Sequence, residues 1–247
     1  MNTQIPLKIG FNRACSFDNY CTGENAAVVQ RLRAAALAQD KGAEASLWFL
    51  AGATATGKSH LAQAFCAEAE GDGRRSLFFS MGELHAHLQE GGEFDANWFE
   101  GFTQYELIAI DDFDCLERAP EGSREALEEA LFVLVNRILL EGNTTLLLTS
   151  SRPVAALRID LPDLRSRLGL FISLSLQENT DEVLLQIMAS KASERGLTLT
   201  DEVAQFLLRR LPRDTQSIVD VMQRLDEFSM TTVRPLTVPM VKDALAL

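Results

Sequence analysis

The chain has 247 residues, 47% of them hydrophobic, which suits one large domain, or a domain with a smaller appendage, and a sizeable core without staples. Its formal net charge is −12 and its pI about 4.8, so the basic patch that gives a free-standing DNA binder most of its affinity is not expected. It contains neither a run of about 18 apolar residues nor a basic stretch leading into an apolar one, so no membrane span and no signal peptide are read, and a cytoplasmic location is expected. Cys15, Cys21, Cys66 and Cys115 lie far apart without a C-x-x-C pair, which suits reduced thiols. His85 and His87, two apart on a predicted helix, point to different faces and make a poor metal pair.

From about Ser46 to Leu176, apolar runs alternate with segments of helical period. Leu47–Leu50 comes first and leads into a Gly-rich loop; Ser76–Phe79, Leu107–Ile110, Thr145–Thr149 and Leu170–Leu174 follow. Five such runs with helices between most of them predict an α/β fold with a parallel sheet covered on both faces. Between the third and fourth runs, Leu127, Leu131, Leu134, Val135 and Ile138 recur at helical spacing over Glu125–Leu140, and Glu141-Gly142-Asn143 closes that helix. After Leu176 the period becomes helical throughout. Helices are predicted over Thr180–Arg195, Asp201–Leu211, Thr215–Phe228 and Val238–Leu247, with at most a short pairing at Thr198-Leu199 or Thr237-Val238. An α/β base over 11–176 with a small helical lid over 177–247 is the simplest division.

Gly52-Ala53-Thr54-Ala55-Thr56-Gly57-Lys58-Ser59 fits G-x-x-x-x-G-K-[ST] in full, between an apolar run and a helical pattern (Leu61, Ala64, Phe65). The glycines let the backbone curl so that successive N–H groups face phosphate oxygens. Lys58 brings positive charge to the β- and γ-phosphates, Ser59 offers a hydroxyl to Mg²⁺, and the helix start adds its positive end. Downstream, Leu107-Ile108-Ala109-Ile110-Asp111-Asp112 is a strand ending in acids. Asp111 is expected to hold Mg²⁺, directly or through its water, and Asp112 to orient or deprotonate the attacking water.

With these motifs placed, the chain resembles the AAA+ module of the bacterial initiator DnaA and its relatives. Phe17-Asp18-Asn19-Tyr20 with Gly23 and Asn25 is similar to the segment opening that module, and Gly57-Lys58-Ser59-His60-Leu61 is similar to the group's P-loop. Asn136–Asn143, Leu146–Ser150, Leu161–Leu164 and Ser166-Arg167-Leu168 carry the likeness across nearly the whole chain. The sequence shows neither the N-terminal interaction domain nor the C-terminal helix-turn-helix of the initiator, and so resembles more specifically the Hda family, regulatory inactivators of DnaA. That resemblance implies a five-stranded AAA+ base with a helical lid, ADP or ATP with Mg²⁺ as cofactors, and two partners. These are DnaA and the sliding clamp, the β subunit of DNA polymerase III. Tyr20 and His60 would join the P-loop residues at the nucleotide, and Gln4 and Leu7, within residues 1–10, would form the clamp-binding peptide, though without an aromatic anchor. Arg167, expected at the opening of a sheet-edge strand, would be an arginine finger acting on the nucleotide of DnaA, with Arg165 its closest rival.

Two positions depart from the family pattern. Ser151 stands where an acid is usual, and Gln216 takes the place of the sensor arginine; a neutral amide hydrogen-bonds a phosphate without neutralising it. Arg213, about one helical turn earlier, is the nearest cation. Weak intrinsic ATPase at most, with diphosphate as the working state, is therefore expected, while a head-to-tail homo-oligomer stays open. The alternatives are a helicase-loader ATPase of the same clan, a stand-alone P-loop kinase, whose phosphate-clamping arginines would be expected in a closing loop where this lid, with Arg209, Arg210 and Arg213, has none, and a direct origin-DNA binder.

Overall fold

A computed structural model of the protein describes residues 10–38, 46–92, 94, 96–232 and 236–245; Gln4 and Leu7 lie outside the described residues. The apolar runs form β1 (Ser46–Ala51), β2 (Ser76–Ser80), β3 (Leu107–Asp111), β4 (Thr145–Ser150) and β5 (Ile172–Ser175). All pair in parallel, in the order β2-β3-β4-β1-β5. Successive side chains leave opposite faces of a strand. Phe49, Ile108, Ile110, Leu146 and Leu148 enter one core, while Trp48, Leu50, Leu107, Ala109 and Leu147 enter the other. Both faces are covered, which is why these strands read as unbroken apolar runs rather than alternating ones.

Helices α1 (Ala26–Leu37) and α2 (Lys58–Gly71) pack on the second face, and α3 (Met81–Gln89), α4 (Glu121–Glu141) and α5 (Pro162–Leu168) on the first. Helix α4 begins four residues before its apolar period, because its first turn, Glu121-Gly122-Ser123-Arg124, carries no apolar signal. It ends at Gly142, whose left-handed φ of 69° lets its N–H reach the Ile138 carbonyl at 3.0 Å. On α2, Cys66 is fully buried with its thiol donating to the Leu77 carbonyl at 3.5 Å, and burial pushes its pKa up to about 12. All four cysteines are free thiols.

The chain divides into two compact units. Among the described residues, the first comprises those up to Tyr20, Asn25–Ala53 and Lys58–Leu176, and the second Cys21–Glu24, Thr54–Gly57 and those from Gln177 onward. The second unit holds α6 (Asp181–Glu194), α7 (Asp201–Leu208), α8 (Thr215–Thr232) and α9 (Val238–Leu245). Thr180 and Thr200 cap α6 and α7 by accepting the N–H of Val183 and Val203. Leu184 and Met188 of α6, Val203 and Leu207 of α7, Ile218 and Met222 of α8 and Val241 of α9 meet in one core. The described residues of this unit include no strand: Thr198-Leu199 is unpaired and Val238 opens α9. No helix among the described residues is long and apolar enough to cross a membrane.

Candidate nucleotide site and arginine surface

Parallel pairing brings the ends of β1, β4 and β3 side by side, since β4 lies between the other two. The Gly-rich loop leaves β1, the acids end β3 and Ser150-Ser151 ends β4, so all three meet at the carboxyl edge of the sheet, where open α/β sheets bind ligands. Gly52 N–H donates to the Ser150 carbonyl at 3.1 Å, tying the loop's start to that edge. At its far end Gly57 has φ 91°, a conformation a side chain would strain, and the next residue begins α2. Lys58 is 7% exposed, and its ammonium donates to the Gly52 and Ala53 carbonyls, both at 2.9 Å. An ammonium has three donors, so one remains for a phosphate oxygen. Burial lowers the Lys58 pKa, opposed by the charges of Asp112, Asp111 and Asp114.

Asp111, 4% exposed, accepts through Oδ1 a hydrogen bond from the fully buried Thr149 hydroxyl, which itself accepts the Asp112 N–H at 3.1 Å. This one hydroxyl orients both members of the acid pair. Among the described residues no group of three or more His, Cys, Asp or Glu side chains could hold a metal by itself. The hard oxygens of Ser59 and Asp111 Oδ2 fit instead the smaller task of completing the shell of a nucleotide-borne Mg²⁺, an ion that takes few protein ligands. Asp112 adopts a left-handed conformation with φ 54°. Its carboxylate lies beside Gly82 of α3, where a methyl in place of the glycine hydrogen would stand 3.3 Å from Oδ2. Burial, then the charges of Asp111 and Asp114, raise the Asp112 pKa, with Lys58 and Arg118 opposing. A carboxylate so raised is a stronger proton acceptor.

Arg167 lies in the last turn of α5, half-buried; its carbonyl accepts the Leu170 N–H at 3.0 Å, but its guanidinium has no hydrogen-bond or ion-pair partner among the described residues. The edge strand β5 begins five residues later, so the expectation that Arg167 opens a strand is corrected: Pro162 at the first helical position and the buried pair Leu164 and Leu168 make this segment a helix. The rival Arg165 is engaged, donating to the Ile159 carbonyl.

Residues 181–245 match the family described as Hda, lid domain. The crystal structure of domain III of the Thermotoga maritima replication initiation protein DnaA superposes with a TM-score of 0.76 at 18% identity, over 96% of this chain and 98% of that one. The C-terminal helices thus match an Hda lid, and the chain as a whole shares the fold of the DnaA domain. AMPPCP-bound DnaA from Aquifex aeolicus follows at TM-score 0.68 and 22% identity, over 89% of this chain and 67% of that one. The Thermotoga maritima RuvB Holliday junction branch migration motor reaches 0.63, at 20% identity over 95% and 72%, so the fold is shared more widely within AAA+ proteins than with initiators alone.

The remaining predicted site residues divide by unit. In the first, the His60 ring nitrogen lies 2.9 Å from the Ser16 carbonyl and the ring packs 5.7 Å from that of Tyr20. Both residues thus anchor the opening segment onto the start of α2. Ser151 is bonded by Asp114, which accepts from its N–H at 3.0 Å and its hydroxyl at 2.6 Å. Burial would raise the Asp114 pKa, but the bonds from Ser151 hold it below the ordinary value. The carboxylate missing from position 151 is thus supplied from 37 residues upstream. In the second unit, Arg213 pairs with Asp181 at 3.2 Å and Gln216 donates to Asp220 at 2.7 Å. There Ala55, held at φ 64°, receives on its carbonyl the Thr215 hydroxyl at 2.8 Å and the Asn179 amide at 3.4 Å. Thr149, Asp114, Asn179 and Thr215 carry no motif of their own, and only their positions in space reveal them.

Proposed function

We propose that the chain binds ADP or ATP on Gly52–Ser59 and, docked head-to-tail on ATP-bound DnaA, presents Arg167 to the initiator's nucleotide, promoting hydrolysis and so restraining a further round of replication initiation. The observation that carries the reading is Arg167 itself: a guanidinium at the end of a short helix and bound to nothing among the described residues, while its neighbour Arg165 donates to the Ile159 carbonyl. A planar fork of five donors left unpaired is suited to charge developing on a transferred phosphoryl group. In the chain's own site, Lys58 would hold the phosphates, and Ser59 and Asp111 a Mg²⁺ whose role is to neutralise phosphate charge. Asp112 would orient the attacking water. Slow turnover is expected there, because Gln216 has no charge to offer the γ-phosphate and Arg213 is already paired with Asp181. Gln4 and Leu7 would seat the chain on the DNA-loaded sliding clamp; support for that part is the likeness in sequence.

The experiment measures hydrolysis by ATP-bound DnaA in the presence of clamp-loaded DNA and this protein, either unaltered, carrying Arg167→Ala, or lacking residues 1–9. The arginine variant should lose stimulation by about 10³-fold or more, and the truncated chain should need far more protein for the same rate and lose binding to the clamp. Full stimulation by Arg167→Ala would overturn the reading of the arginine, and unchanged clamp binding after truncation that of the peptide.

A further inference from the structure

Helix α5 has only seven residues, and its N-cap, Leu161, has no side-chain oxygen to satisfy the helix's first N–H groups. An acceptor for the N–H of the N-cap itself, and for that of the residue before it, comes from another helix. Glu128 of α4 is 1% exposed; its carboxylate accepts the Leu161 N–H at 2.6 Å and the Asp160 N–H at 3.0 Å. Its other partner is Arg124, one turn earlier on α4, at 3.1 Å. Arg124 in turn donates to the Arg158 carbonyl at 2.6 Å and pairs with Asp160 at 2.9 Å. A carboxylate stripped of water is tolerated when such donors replace its hydration. The two α4 side chains therefore grip the backbone at 158, 160 and 161 from one side.

We propose that Glu128, supported by Arg124, is a positioning residue for Arg167, an inference that rests on the reading of Arg167 as the finger. The reach is short. From Leu161 to Arg167 the helix advances six residues, about 9 Å, with Leu164 and Leu168 buried between and beyond them. A helix of this length moves as one piece, so releasing its first turn displaces its last. A reacting group misplaced by about 1 Å costs on the order of 100-fold in rate. Glu128 itself is buried and presents nothing to a partner, so it acts on the reaction only through α5.

The test compares Glu128→Gln, Arg167→Ala and the double variant in the hydrolysis assay with DnaA, titrating each protein to separate maximal rate from half-saturating concentration. Glu128→Gln keeps size and shape but leaves one acceptor oxygen, so an amide NH₂ must face either the two backbone N–H groups or Arg124 Nε. It should lower the maximal rate by at least about tenfold, with the half-saturating concentration within about twofold of the parent. The double variant should be no slower than Arg167→Ala alone, since both changes act on one interaction. Amide exchange at Asp160 and Leu161 should accelerate in Glu128→Gln. Should that variant not fold, Arg124→Gln, which removes the grip on Arg158 and Asp160 together with the bond to Glu128, must still lower the maximal rate. A full maximal rate in the folded Glu128 or Arg124 variant, alongside an inactive Arg167→Ala, refutes the positioning role and leaves the finger standing. An active Arg167→Ala refutes the finger and this inference with it.

Discussion

Replacing Thr149 by valine tests whether one hydroxyl organises the acid pair. The side chain is fully buried, donates to Asp111 and accepts the Asp112 N–H at 3.1 Å. Valine keeps the shape and removes both bonds, leaving the Asp111 carboxylate one donor short and the Asp112 N–H without an acceptor. A bond to a charged group contributes about 1.5–3 kcal/mol and an orphaned buried donor costs about 1–3 kcal/mol, partly offset by the added methyl. The expected loss is roughly 2–4 kcal/mol, which for a chain of this size lowers Tm by roughly 5–15 °C. Thr149→Ser keeps the hydroxyl and loses one methyl, costing about 1 kcal/mol. Urea unfolding of the three proteins, together with titration by a fluorescent nucleotide in Mg²⁺, measures both stability and site order. If valine proves as stable as serine, the hydroxyl is not what holds the two acids.

Two further changes probe the same edge of the sheet. Lys58→Met removes the charge facing the phosphates and the ties to the Gly52 and Ala53 carbonyls; nucleotide affinity should fall about 10–100-fold, measured by the same titration. Asp112→Asn should stabilise the fold at neutral pH. The folded-state pKa of Asp112 is raised by burial and by Asp111 and Asp114, so the native chain favours its protonated form. Stability tied to this group is therefore complete below its unfolded pKa and is lost as pH rises through the raised value. Asparagine, neutral and tolerant of the left-handed backbone, should remove that loss, with no advantage at a pH where the aspartate is protonated. Unfolding curves for both proteins at acid and neutral pH decide it.

The strands were legible because burial on both faces leaves an unbroken apolar signature, as in Leu107–Ile110, and the turn from β1 into α2 was legible because its glycines and lysine are contiguous in sequence. Arg167 was placed in the wrong element: the apolar run at Leu170–Leu174 drew the strand forward, although Pro162 signalled a helix start. The pairing of Asp114 with Ser151 was not legible. A missing acid at one position gives no hint that another, 37 residues away, will fill its place once β3 and β4 lie side by side. Glu128 was hidden for the same reason, since an acid within a charged helical stretch reads as solvated surface until the loop carrying Asp160 folds over it. The Thr198-Leu199 and Thr237-Val238 pairings failed for want of a partner: β-branched residues favour a strand only when another strand completes the ladder.

Cys66 gives the molecule a built-in reporter. With its thiol sealed between α2 and the sheet and its pKa raised to about 12, almost none of it is thiolate at neutral pH, and an alkylating reagent finds neither access nor nucleophile. Reaction at this sulfur therefore waits for that side of the sheet to open. In a chain whose half-exposed Cys15 and Cys21 have been replaced, the rate of labelling at Cys66 would clock such openings, and a ligand that clamps the start of α2 would slow the clock.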